Sequence, residues 1–212
     1  MKYTASLVKL NIDERIDSLR KDALLREIPV CDDETLQFLL LVLSSKKPER
    51  ILEIGTAVGL SASAMLSVLP NAKVTTIELE EERFLEAKRN FERLGFSDRV
   101  TTYLGDAGEI LSMMDGEFDF VFLDGPKAQY EKYLFDLKRL MKKGGLLFAD
   151  DVLLYGWVSG EEETPSKRRS IVEKIRSYLT AVTTDDDFLT SVLNVGDGVA
   201  LSLYKPENKG KY

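Results

Sequence analysis

The chain has 212 residues, 44% of them hydrophobic and 31% charged, with a formal net charge of −7. That length and mix can bury a sizeable core, and the negative balance argues against broad nonspecific nucleic-acid binding while allowing a local basic patch. One cysteine, Cys31, and no histidine exclude an internal disulfide and every Ser-His-Asp, Cys-His or His-metal site. A metal would then fall to oxygen ligands and favour magnesium, manganese or calcium, and a general base must be Lys, Asp, Glu or Tyr.

The first residues, MKYTASLVKLNIDERIDSLRK, turn charged too early for a signal peptide. No later run approaches the roughly 18 apolar residues of a membrane span. A soluble protein of the reducing cytoplasm is expected. Residues 11–25 (NIDERIDSLRKDALL) carry apolar positions at helical spacing, and residues 32–45 (DDETLQFLLLVLSS) open on capping carboxylates and run apolar. Two helices are therefore expected, divided at Pro29. They make up an N-terminal segment, 1–45, packed on the remainder, 46–212, in a single domain.

From residue 50 the period changes. Apolar strands are expected at 50–55 (RILEIG), 73–78 (KVTTIE), 99–105 (RVTTYLG), 118–124 (FDFVFLD) and 144–150 (GGLLFAD). Helices are expected between them at 60–69, 81–95, 107–114 and 128–142. Strands alternating with helices imply a parallel sheet covered on both faces and doubly wound by right-handed crossovers. The C-terminal part differs. A helix at 170–182 (SIVEKIRSYLTAV) is followed by strands LTSVLNV and GVALSLYK, joined through Gly196-Asp197-Gly198 as a hairpin.

The turn after the first strand, ILEIGTAVGLS, carries Gly55 and Gly59. A dinucleotide fingerprint needs glycine at 57 and 60 as well, where Ala57 and Leu60 stand, so the NAD reading fails. Glycine at 55 still lets backbone approach a ligand at the crevice of an open α/β sheet. Glu78 ends the second strand, where a carboxylate can hold ribose hydroxyls; as a purely structural residue it would cap the helix at 81–95. Asp106 and Ala107 end the third strand, where an adenine edge would lie, and Asp106 is also a natural helix cap.

Asp124 ends the fourth strand, in FLDGPKAQY, with Lys127 three residues on. Asp150 and Asp151 end the fifth, in LLFADDVLLYG. Ends of neighbouring strands flank one crevice, so three carboxylates are expected to converge. Clustered carboxylates repel and lose hydration, and a hard divalent cation removes that penalty. As structural residues, Asp150 or Asp151 would only cap a turn.

The motifs ILEIGTAVGLS, TTIE, FLDGPKAQY, ADDVLLYG and VGDGVALSLYK together resemble the cation-dependent O-methyltransferases of the catechol and caffeoyl-CoA type, over roughly residues 28 to 205. The resemblance implies the class I S-adenosylmethionine (SAM) methyltransferase fold: α/β, Rossmann-like and doubly wound, with a mostly parallel seven-stranded sheet and an antiparallel last strand. It puts Val30, Glu53, Gly55, Ser61, Glu78, Asp106, Ala107 and Asp124 at SAM-binding positions. Glu53 would accept from the methionine ammonium and Ser61 would donate to its carboxylate. Asp124, Asp150 and Asp151 fall at the metal positions, for Mg2+ or else Mn2+ or Ca2+, and Lys127 at the catalytic lysine. Lys127 is expected to take the acceptor's proton, with its own pKa depressed by a low dielectric. The family commonly has Asn where Asp151 stands, and Gly125-Pro126 also depart from its pattern. The resemblance further implies a homodimer formed through the N-terminal helices.

Within that family KAQY, DDVLLYGWVS, SKRRSIVEKIRSYL and NVGDGVALSLYK are most similar to a bacterial subgroup that methylates 5-hydroxyuridine in tRNA to 5-methoxyuridine. The 5-hydroxyl and 4-carbonyl of that base are adjacent oxygens that can chelate a metal as a catechol does. Lys167, Arg168 and Arg169, followed by Lys174 and Arg176, would then offer a phosphate strip to a tRNA anticodon loop; otherwise they form a solvated helix face. A small catechol-like acceptor is the alternative. A SAM-binding protein without chemistry is a third reading, against which Lys127 and the intact carboxylate set argue.

Overall fold

The computed structural model describes residues 3–207. Two helices open it, α1 (Glu14–Leu25) and α2 (Asp33–Lys46). Each begins where a carboxylate replaces a missing backbone partner: Asp13 accepts from Arg15 N at 2.8 Å and Asp32 from Thr35 N at 2.9 Å. Caps of this kind contribute about 1 kcal/mol each. Strand and helix then alternate: β1 (Arg50–Ile54), α3 (Leu60–Val68), β2 (Lys73–Glu78), α4 (Glu81–Leu94), β3 (Val100–Leu104), α5 (Ala107–Met113), β4 (Phe118–Leu123), α6 (Tyr130–Leu140) and β5 (Met141–Ala149). The chain continues with α7 (Arg169–Thr184), β6 (Phe188–Leu193) and β7 (Val199–Tyr204).

The seven strands form one sheet in the order β3-β2-β1-β4-β5-β7-β6. All neighbours from β3 to β5 pair in parallel, and β7 runs antiparallel to both β5 and β6. This is the expected doubly wound architecture. The order reverses between β1 and β4, and the strand ends beside that reversal leave a crevice where ligands bind.

Side chains alternate across the strands and build a core on each face. Leu52, Ile54, Val121, Leu123 and Leu147 face α5, α6 and α7. Ile51, Val74, Phe120, Phe122 and Phe148 face the other way, onto a cluster that includes Ile16 and Leu19 of α1 and Leu36, Leu39 and Leu43 of α2. Phe148 anchors that second face, its ring 5.7 Å from those of Phe38 and Phe122 and 6.3 Å from that of Phe120.

Two boundaries differ from the sequence expectation. Helix α6 stops at Leu140 and β5 begins at once at Met141, because Met141 pairs with Phe118 before the register slips and resumes at Phe120–Leu146. The Lys142–Gly145 stretch absorbs the slip, with Gly144 at φ +82°. The β6–β7 connection is longer than a tight hairpin: it spans residues 194–198 and closes with Gly198 N on Val195 O at 2.8 Å. Its tip packs onto the chain after β5, where Val152 N and Leu153 N donate to Gly198 O and Asp197 O, both at 2.9 Å.

Candidate active site

The C-terminal strand ends open into a cavity of about 520 Å³. Val30, Gly55, Ser61, Glu78, Asp106, Ala107, Asp124, Lys127 and Asp151 all line it. Glu53 and Asp150 do not.

The turn from β1 to α3 bounds one end. Gly55 has φ +102°, and a Cβ there would overlap the Asp124 carbonyl, whose carbon lies 2.8 Å away. Only glycine fits so close to the next strand. The α3 N-terminus follows, with Ser61 on the cavity wall. Behind it Glu53 is fully buried, with 0% exposure. Ser61 Oγ lies 2.5 Å from Glu53 Oε1 in a hydrogen bond, and Thr76 Oγ1 donates to Oε2 at 2.6 Å. Thr76 is the cross-strand partner of Glu53, and its hydroxyl lies 2.6 Å from that of Thr56. Burial pushes the Glu53 carboxyl up to about 8; the two hydroxyl bonds oppose this, and the charges of Asp124 and Glu78 add to it. Glu53 thus reaches the cavity through Ser61 and not by its own carboxylate.

Glu78 ties the end of β2 to the same turn. Its Oε2 accepts from Ala57 N at 2.8 Å, and its Oε1 accepts from Leu79 N and Glu80 N, both at 2.9 Å. It does not cap α4, whose N-cap residue is Glu80. Asp106 both caps α5, accepting from Glu109 N at 3.1 Å, and faces the cavity.

The other end gathers charge. Lys127 Nζ lies 2.7 Å from Asp124 Oδ1 and 3.0 Å from Asp151 Oδ2. Burial alone would lower the Lys127 pKa, but Tyr130, Asp124 and Asp151 outweigh it and hold the ammonium well above the usual lysine value. The expected depression is thereby reversed: the carboxylates placed to hold a cation also hold the ammonium. Burial raises the Asp124 carboxyl against the pull of Lys127. Asp150 is buried at 2% exposure, accepts from Asp151 N at 2.7 Å through Oδ1, and is pushed well up by burial and then by the charges of Asp124 and Asp151. Asp151 takes a left-handed φ of +55°, a conformation that asparagine and aspartate tolerate better than most residues.

Among the described residues no three Asp, Glu or Cys side chains stand together as a ready metal cage. Lys127 bridges two of the expected ligands and Asp150 turns to backbone. The donor set nonetheless fits a hard cation, because two carboxylates share one ammonium, a third stands beside them, and burial pushes Asp124 and Asp150 up in pKa.

Several wall residues carry no local sequence signal. Asp32, the cap of α2, and Asp197, at the tip of the 194–198 connection, line the cavity beside Asp151. Tyr155, in the loop after β5, is 69% exposed and packs on Trp157 at 5.1 Å between ring centroids. The buried Tyr130 hydroxyl donates to Leu123 O at 3.0 Å and lies 3.3 Å from Asp150 O, bracing the ends of β4 and β5. Lys167, Arg168 and Arg169 lie outside the cavity, exposed at the start of α7. Arg176 is committed to the fold, donating to Val158 O at 3.1 Å and Trp157 O at 3.3 Å.

A sheet of this order with an antiparallel seventh strand, opening at its switch point beside acidic residues on successive strand ends, defines a SAM-dependent methyltransferase. The model of the O-methyltransferase family matches residues 9–205, and the chain belongs to that family. It is 30% identical over 182 residues to a caffeoyl-CoA O-methyltransferase of Populus kitakamiensis, covering 82% of this chain and 76% of that one. It is 31% identical over 176 residues to a catechol O-methyltransferase of Niastella koreensis, covering 80% and 79%. The O-methyltransferase TomG of Streptomyces achromogenes, involved in tomaymycin synthesis and solved in complex with SAM, superposes with a TM-score of 0.81 at 26% identity over 96% of this chain and 95% of its own. Among the described residues no helix is long and apolar enough to cross a membrane.

Proposed function

We propose that this enzyme methylates a hydroxyl that has a second oxygen beside it, with the help of a divalent cation at Asp124, Asp150 and Asp151, and that its acceptor is a small catechol-type molecule. The observation that carries this reading is Lys127 Nζ held between Asp124 and Asp151 on the cavity wall.

Each residue then has a part. The α3 N-terminus and Ser61 hold the amino-acid end of the donor. Glu78 holds the ribose hydroxyls, and Asp106 and Ala107 meet the adenine edge, with Val30 and Gly55 closing the wall. A cation held by Asp124, Asp150 and Asp151 would supply positive charge that acidifies the acceptor hydroxyl. Lys127 receives the hydroxyl proton at Nζ, which requires that the proton it carries between Asp124 and Asp151 first pass to solvent through the open cavity. The rest of the gain is orientation, because the sulfonium methyl is already activated.

The named activities of the Populus and Niastella relatives support a small acceptor. So does the carboxylate-rich wall formed by Asp32, Asp151 and Asp197, which repels phosphate. A second reading, 5-hydroxyuridine in a tRNA anticodon loop, is favoured by the exposed Lys167, Arg168 and Arg169. Exposed Leu24, Leu25 and Leu41 on α1 and α2 favour a homodimer through those helices, which light scattering decides. The deciding assay for the acceptor offers labelled SAM and magnesium with either a catechol or hydroxyuridine-containing tRNA. Label on the catechol supports the proposal; label on tRNA alone replaces it with the second reading; label on neither refutes both acceptors.

A further inference from the structure

We propose that Glu53 is a positioning residue that keeps a proton and donates it to Ser61, so that the Ser61 hydroxyl turns its hydrogen into the cavity toward the carboxylate end of the donor. The inference rests on the reading that this cavity takes SAM, and it adds a residue that touches no ligand.

Glu53 has no exposure to solvent. Its two oxygens are engaged by two hydroxyls, Ser61 Oγ at 2.5 Å and Thr76 Oγ1 at 2.6 Å, and Thr76 is in turn 2.6 Å from the Thr56 hydroxyl. Each hydroxyl has a single hydrogen. If Glu53 is ionised, the Ser61 hydrogen is spent on Oε1 and Ser61 shows the cavity only lone pairs. Those lone pairs face the carboxylate of an α-amino acid across the α3 N-terminus, where a donor is needed. If Glu53 keeps a proton on Oε1, that oxygen donates to Ser61, and the Ser61 hydrogen is free to turn outward. Thr76 goes on donating to Oε2, and Thr56 supports Thr76, so the other half of the network is unchanged.

The surroundings favour the protonated form. A carboxyl removed from water and met only by hydroxyls keeps its proton unless a cation pairs with it. The charged groups that act on Glu53 are Asp124, at the end of β4, and Glu78, at the end of β2; both are acidic and both add to the effect of burial. Lys127, on the same cavity wall, is engaged by Asp124 and Asp151. The shift to about 8 agrees with a proton retained at neutral pH and lost just above it.

The test uses S-adenosylhomocysteine, which binds without methyl transfer, in calorimetric titrations of wild type, Glu53→Gln and Ser61→Ala between pH 6.5 and 9. Glutamine mimics the protonated acid, since its amide donates to Ser61 while its oxygen accepts from Thr76. Glu53→Gln is expected to bind like wild type at pH 6.5 and to hold that affinity, whereas wild type weakens relative to it by about 10-fold at pH 9. The ratio of the two cancels the ligand's own amine titration. Ser61→Ala is expected to bind weakly throughout, without the pH-dependent difference from Glu53→Gln. In two buffers of unlike ionisation heat, wild type should take up close to one proton on binding at pH 9, about one more than Glu53→Gln. Parallel pH profiles for wild type and Glu53→Gln overturn the inference. So does loss of binding at pH 6.5 in a Glu53→Gln protein with wild-type melting temperature. Should Glu53→Gln not fold, no excess proton uptake by wild type overturns it. Failure of wild type to bind the probe at any pH overturns the donor reading itself, and this inference with it.

Discussion

Replacing Gly55 with alanine should damage turnover and stability together, because the strand end that carries it touches the strand end that carries Asp124. Two costs add. The residue has φ +102°, which strains an alanine by about 1 to 3 kcal/mol. Its Cβ would overlap the Asp124 carbonyl, 2.8 Å from the carbonyl carbon where real contacts stay above 3.0 Å, and overpacking of this kind costs about 1 to 3 kcal/mol. The sum, about 2 to 6 kcal/mol, lowers the melting temperature of a domain this size by about 5 to 20 °C. The overlap meets backbone, so no rotamer relieves it and the end of β4 must retreat. A retreat on the order of 1 Å at Asp124 and Lys127 should lower kcat by about 100-fold even where the protein is fully folded. Thermal melts and steady-state kinetics at saturating donor and acceptor measure both effects. A Gly55→Ala protein with wild-type kcat and melting temperature would refute the claim that this contact fixes the site.

Lys127→Ala should reduce turnover by about 100-fold or more with little change in S-adenosylhomocysteine affinity, and it should not weaken Mn2+ binding measured by electron paramagnetic resonance, since the ammonium and a cation compete for the same carboxylates. Excess chelator should abolish activity and magnesium or manganese restore it, whereas Asp124→Ala should lose both metal and turnover; full activity in chelator would remove the metal role. Changing Lys167, Arg168 and Arg169 together to alanine should leave catechol methylation unchanged and, if tRNA is a substrate, weaken and flatten the salt dependence of its methylation; equal loss on both substrates would assign the strip to the fold. Glu53 should also mark the stability curve. Burial pushes its folded pKa up to about 8 from an ordinary 4.5, so its contribution is whole below about pH 4.5 and declines as pH rises toward 8, by on the order of several kcal/mol. Glu53→Gln should therefore gain stability relative to wild type across that window, and parallel melting curves from pH 5 to 8 would contradict the assignment.

Much of the frame was legible because it rests on local periodicity. The strand ends at Ile54, Glu78, Leu104 and Leu123 fall where apolar runs meet Gly or acidic residues, and the alternation around them leaves few topologies. Asp124 and Lys127 are legible as a pair because only Gly125 and Pro126 separate them across a single turn. What escaped depends on contacts distant in sequence. The start of β5 at Met141 is fixed by pairing with Phe118, which no property of Met141 announces. Asp32 and Asp197 read as a helix cap and a turn residue, and they are both, yet packing brings them to one wall. The direction of the Lys127 pKa is hidden for the same reason: burial alone predicts a lowered value, but Tyr130, Asp124 and Asp151 decide the sign. Glu53 looked like a ligand-binding carboxylate at the strand end, and only the cross-strand pairing with Thr76 reveals where its oxygens are engaged.

The strand order has a consequence for how the enzyme comes into being. β7 is the last strand among the described residues, yet it lies inside the sheet, between β5 and β6. Until it enters, β5 has an open edge and β6 has no neighbour. The tip that precedes it, residues 194–198, supplies Asp197 to the cavity and the two carbonyls that pin Val152 and Leu153. Asp32 on the same wall is synthesised well before Asp197. A nascent chain therefore has the donor-side turn at Gly55 long before the acceptor side is complete. A fragment cut before Val199 should expose a sticky β edge to other chains and fail as a catalyst, whatever its remaining residues could bind.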